Sequence, residues 1–111
     1  MEPVRLLLSL ADRTALHNHY MPMIRGGGIF IPCEQDLDFG DKVVLEVNLL
    51  SEKQKAKVPG CVVWITPPNT ARGAARGVGI QILGVHQPRI QQYFEGLLGE
   101  RLVQPPPKPA Y

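Results

Sequence analysis

Lys42-Val43-Val44-Leu45-Glu46-Val47-Asn48-Leu49 sets Val43, Leu45, Val47 and Leu49 against Lys42, Val44, Glu46 and Asn48. A period of two belongs to a strand with one dry face and one wet face. Downstream, Ser51 to Gln54 is polar enough for a hairpin loop, and a second strand is predicted from about Lys55 to Thr66. Pro59-Gly60 lies inside it, which predicts a bulge or an edge position there. Pro67 to Gly73 reads as loop and Gly77 to Leu83 as a last strand. Upstream, Glu34 to Asp41 is acidic and turn-rich, and Ile29-Phe30-Ile31 is a short strand closed by Pro32. Val4 to Leu10 is apolar on both sides of its alternation, as in a strand buried on two faces.

Two helices complete the pattern. Asp12 is placed to cap a short one over Arg13 to Tyr20, which Pro22 stops. Pro88 suits a helical first turn, and Ile90, Tyr93, Phe94, Leu97 and Leu98 form an apolar stripe that Gly99 can close. The fold class is therefore mainly β: a largely antiparallel barrel with a short helix after the first strand and a C-terminal α-helix. Residues 1–103 make one domain. Residues 104–111, with Pro105-Pro106-Pro107 and Pro109, make an extended proline-rich tail, either an inert linker or a preformed ligand.

Composition narrows the function. A formal net charge of +2 gives no broad basic surface for nucleic acid. The apolar runs Leu6-Leu7-Leu8 and Cys61 to Ile65 are too short to span a bilayer, and Met1 to Ala11 does not read as a secretory signal. A cytoplasmic monomer is the expectation. Cys33 and Cys61, the two cysteines, could pair if close in space but read as buried reduced thiols on two strands.

The chemistry-bearing groups do not assemble into a catalyst. His17 and His19 are two apart, which turns them to different faces of a helix, and His86 is isolated, so no metal site is expected. Asp36, Asp38 and Asp41 lack the frame of a calcium loop. Neither cysteine has a base partner, and no nucleophile elbow occurs. Catalytic residues, metal and cofactor are therefore expected to be none. Arg72-Gly73 and Arg76-Gly77 are too few to hold RNA. Arg25-Gly26-Gly27-Gly28 is more distinctive: it is either a tight turn needing positive φ or a nest of amides for phosphate.

Gly28-Ile29-Phe30-Ile31, Gly40-Asp41-Lys42-Val43-Val44-Leu45, Gly60-Cys61-Val62-Val63-Trp64 and Gly77-Val78-Gly79-Ile80-Gln81-Ile82, followed by the helix from Pro88, together resemble the PilZ domain. Tyr20-Met21-Pro22 leading to Gly26-Gly27-Gly28, and Val63-Trp64-Ile65-Thr66-Pro67, look like its type IV pilus branch. The family's cyclic di-GMP site uses an Arg-x-x-x-Arg segment and an Asp/Asn-x-Ser-x-x-Gly turn. Here Gly28 matches the last glycine, but Met23 and Arg25 stand at the acidic and serine positions. Ser9 and His17 stand four residues after Arg5 and Arg13. Two lost charge-assisted contacts of about 1.5 kcal/mol each weaken binding about a hundredfold.

The resemblance thus implies a non-catalytic adaptor of pilus assembly and twitching motility with no nucleotide of its own. Its implied partners are a pilus-extension ATPase and a degenerate EAL-domain regulator that senses cyclic di-GMP. The alternative is a cyclic di-GMP receptor. Tyr20 and Trp64 fit either a core or a protein-binding anchor, with Met21, Pro22 and Ile24 extending the patch. Phe30 and Phe39 read as core. On the nest reading, Arg25, Gly26, Gly27 and Gly28 would be a vestigial phosphate site; on the other they are a tight turn alone.

Overall fold

The computed structural model describes residues 3–66 and 76–111. The Pro67 to Gly73 loop and the Arg72-Gly73 pair therefore lie outside the described residues. Among the described residues six strands form one sheet: β1 (Val4–Leu10), β2 (Tyr20–Met21), β3 (Gly28–Pro32), β4 (Lys42–Leu49), β5 (Gln54–Ile65) and β6 (Gly77–Ile82). Their order is β1-β4-β5-β6-β3-β2, and the sheet curls into a half-barrel of the expected class.

The alternation of β4 decides which side closes. Val43, Leu45, Val47 and Leu49 are buried, and they meet Val58 and Val62 of β5 across an antiparallel ladder. Ile29 and Ile31 of β3 and Val78, Ile80 and Ile82 of β6 join the same cluster. Four of the five ladders are antiparallel; β1 and β4 run parallel, Val4 opposite Val43 and Leu10 opposite Leu49. β1 is an edge strand rather than one buried on two faces. Leu8 and Leu10 turn inward, while Leu7 is 64% exposed.

The two sheet edges, β1 and β2, are joined in sequence by α1 (Arg13–His19), so the helix bridges the open side. The Asp12 carboxylate caps it by accepting from the Ala15 amide at 2.9 Å. The helix stops one residue earlier than the pattern suggested. Tyr20 is already extended, and Tyr20 and Met21 pair with Ile29 and Gly28. Leu16 packs into the core from α1, and Phe94 and Leu98 from α2 (Gln87–Leu98). Gly99 ends α2 at φ +52, its N–H donating to the Glu95 carbonyl, and a 3-10 turn follows over Gly99–Val103.

Pro59 sits in a central strand, not at an edge. Its carbonyl accepts from the Leu83 amide, so its nitrogen also faces the β6 side, beyond the Gly60–Ile82 pair that ends that ladder. The β4 ladder loses no donor. The irregularity falls elsewhere: Val62 pairs with Ile80, but Trp64 pairs with Gly79. One extra residue in β5, Val63, reverses the alternation from that point. This bulge decides what the outer face carries.

Candidate functional site

Without the bulge, Trp64 would share the inward face of Val62. With it, Trp64 lies opposite Gly79, on the outer face of the sheet. Gly79 is flanked on the other side by Phe30, which turns outward between the inward Ile29 and Ile31. The rings of Phe30 and Trp64 meet edge-on, with centroids 5.7 Å apart. They come that close because Gly79 has no side chain. A Cβ there would stand 2.8 Å from both the Trp64 Cβ and the Met21 sulfur.

Met21 and Phe30 are buried to 1% and 0% exposure, yet neither belongs to the main core cluster. They form a second apolar cluster outside the half-barrel. The His19 imidazole Nδ1 donates to the Phe30 carbonyl at 2.9 Å, one residue before β2 begins. Ile24 is on this face too, since a Cβ on Gly28 would lie 2.3 Å from its terminal methyl. Pro22 is exposed at the start of the turn.

The structure thus gathers Met21, Ile24 and Trp64 on one face, with Pro22 beside them. Tyr20 is a correction. At 1% exposure it points into the core, so it presents nothing to a partner as the chain stands. Met21 is equally covered and supports the patch from beneath. Phe30, read as core, is buried, though beneath Trp64 in the outer cluster rather than inside the half-barrel, whereas Phe39, also read as core, is 68% exposed. The alternation Ile29-in, Phe30-out was the available signal for Phe30.

The tail completes the cluster. Tyr111 lies 6.2 Å from the Phe30 ring and 6.3 Å from the Trp64 ring. Residues 104–111 have no regular structure, and they fold back on the domain. Ala110 and Lys108 amides donate to the backbone and side-chain oxygens of Asn18.

The triple-glycine turn has a different character. Gly26 and Gly27 adopt φ +80 and +89, as a tight turn requires. The Gly27 N–H is spent on the Ile24 carbonyl at 2.8 Å. The turn offers carbonyls instead. Those of Arg25, Gly26 and Gly27 accept from Gln81 Nε2, Gln87 Nε2 and the Ile82 amide, at 2.9, 2.5 and 3.1 Å. An open cleft runs between the turn and α2, and Arg25 is its one cation among the described residues. Arg13 is engaged by Glu52 at 3.1 Å beside the β4–β5 hairpin, and Arg5 is exposed on β1 beside Leu7. A nest with one arginine and a committed amide is a poor cradle for phosphate.

Along α2, Gln87, Gln91 and Glu95 recur at four-residue spacing and bond in series. Gln87 Nε2 donates to Gln91 Oε1 at 2.8 Å, and Gln91 Nε2 to Glu95 Oε2 at 3.1 Å. The Tyr20 hydroxyl donates to the same carboxylate oxygen at 2.6 Å. The ladder ties the glycine turn to the core. Burial, then the hydrogen bond to Glu95, push the Tyr20 phenol above its ordinary 10.0.

The unfolded chain therefore loses this proton near pH 10 while the folded chain keeps it. The stabilisation is fully present below about pH 10 and is lost as pH rises, at about 1.4 kcal/mol per pH unit. Tyr93 and Tyr111 are also pushed upward by burial, so the comparison is with Tyr20→Phe. Urea unfolding between about pH 9 and 11 should show the wild type losing its advantage over that variant. Parallel pH profiles would contradict it.

Elsewhere, His17 Nε2 donates to the Gln104 carbonyl, and Asp36 pairs with Arg76. Cys33 and Cys61 are free thiols. Among the described residues, no group of three or more His, Cys, Asp or Glu could hold a metal ion, and no helix is long and apolar enough to cross a membrane. Two comparisons bear on identity. A family model described as PilZ domain matches residues 2–98, and no curated protein matches the chain.

Proposed function

Because the chain belongs to the PilZ domain family, whose members are generally non-catalytic and bind cyclic di-GMP or act as effectors, we propose that it is an effector that works through protein contacts. It is read as a cytoplasmic adaptor of type IV pilus assembly and twitching motility. Its partners are a pilus-extension ATPase and a degenerate EAL-domain regulator that senses cyclic di-GMP. One observation carries this reading: the β5 bulge places half-buried Trp64 over buried Phe30 on the outer face, where the aromatic pair lies outside the half-barrel core. Large amphipathic rings of this kind dominate protein interfaces.

The chain does not retain cyclic di-GMP in this reading. Met23 is 64% exposed at the position of the family's acidic residue, and the glycine turn spends its groups on Gln81 and Gln87. The alternative, a cyclic di-GMP receptor, has exposed Arg25 in its favour, because a guanidinium can fork onto a phosphate. Calorimetric titration separates the two. No saturable heat is expected with cyclic di-GMP, whereas a micromolar one-to-one complex would establish the receptor. Co-purification with the ATPase or the regulator tests the adaptor role, and failure to capture either one contradicts it.

A further inference from the structure

The outer patch already has an occupant, and it comes from this chain. Resting on the reading of Trp64 and Phe30 as the partner surface, we infer that residues 104–111 are a self-ligand of that surface. A partner engages by displacing Tyr111 with a segment of the same kind, extended, proline-rich and carrying an aromatic ring.

Three features carry the inference. First, the occupant is placed by specific bonds. His17 Nε2 donates to the Gln104 carbonyl at 2.9 Å, the Lys108 amide to Asn18 Oδ1 at 3.1 Å, and the Ala110 amide to the Asn18 carbonyl at 3.0 Å. These hold the strap along α1 and deliver Tyr111 to the Phe30 and Trp64 rings.

Second, the hold is light. Gln104, Pro105, Pro107, Lys108 and Pro109 are exposed, and the strap joins no strand ladder. Segments with few buried contacts open at low free energy, whereas Phe30 and Met21 beneath are fully packed. Third, four prolines in eight residues keep the segment extended when free, so docking it orders little. The same economy favours a proline-rich partner segment over a flexible one.

Trp64 is the only tryptophan, so its emission reports this surface directly. In the 111-residue Tyr111→Ala chain, acrylamide quenching of Trp64 is expected to rise about twofold as a neighbouring ring is lost. A synthetic peptide of residues 104–111, added in trans, is expected to shift Trp64 emission saturably in that variant. It should bind the wild type at least about tenfold more weakly, because the tethered strap competes at high effective concentration. Asn18→Ala, which removes one strap bond and no ring, should move both readouts the same way by less.

Unchanged quenching in Tyr111→Ala, or a peptide that does not bind that variant, overturns the inference. So does equal binding to variant and wild type. None of these readouts needs the ATPase or the regulator, so failure of the pilus reading would be seen separately.

Discussion

Gly27→Ala is expected to lower the unfolding free energy by about 2.5–5 kcal/mol, from two causes that add. Gly27 sits at φ +89, where an L side chain is strained by about 1–2 kcal/mol. A Cβ there would also stand 2.6 Å from the Tyr20 hydroxyl oxygen. That hydroxyl cannot step aside cheaply. Its ring is 1% exposed, packed edge-on to Phe94, and its proton is held by Glu95 at 2.6 Å. Breaking a bond to a charged group in such a place costs about 1.5–3 kcal/mol.

Gly26→Ala is the informative control. Its φ of +80 is equally strained, but the new Cβ meets only the end of the Gln87 side chain, at 2.9 Å. Gln87 can swing into solvent, where water replaces its neutral bonds to the Gly26 carbonyl and Gln91, so the loss should stay below that of Gly27→Ala, at about 1–3 kcal/mol. Urea unfolding of the two variants checks the difference. Equal losses would show that the Tyr20–Glu95 contact does not brace the turn.

Trp64→Ala is expected to weaken capture of the protein partner by about thirtyfold or more, the effect of losing an interface hot spot of about 2 kcal/mol. Trp64 is half-buried, so the substitution removes the edge-on contact with Phe30 without opening the main core. The folded state should survive with a modest loss of stability, which far-ultraviolet dichroism and a melting curve verify. Tyr20→Phe provides the contrast. It removes the bond to Glu95 but leaves the outer face untouched, so partner affinity should change little. A folded Trp64→Ala chain with full partner affinity would remove Trp64 from the interface.

Much of the fold was legible because alternation and caps are local. The strict two-residue period of Lys42 to Leu49, the Asp12 cap and the stripe around Phe94 each need only neighbouring residues to be read. The parallel pairing of β1 and β4 was not legible, because strand direction depends on how α1 carries the chain to the opposite edge. The bulge was hidden for a different reason. Cys61-Val62-Val63-Trp64-Ile65 is apolar at every position, so a one-residue slip leaves no mark on its pattern. Proline and glycine at 59–60 drew attention to the wrong place.

The site was legible in part for related reasons. Met21, Ile24 and Trp64 share a face because Met21 is the outward residue of β2 and the bulge turns Trp64 outward. A two-residue strand has no period, so nothing local separated the inward Tyr20 from the outward Met21. Tyr111 was invisible for lack of any period in its proline-rich setting. Its position depends on Asn18, which lies 90 residues from Lys108 in the chain.

The emission of Trp64 during paired titrations separates a protein-binding outer face from a nucleotide receptor. Adding the pilus-extension ATPase should shift it to shorter wavelength with a saturable curve, while cyclic di-GMP should leave it unchanged and evolve no heat. A silent tryptophan beside a bound ATPase, or a saturable response to cyclic di-GMP alone, would contradict the assignment of the outer face as the binding surface.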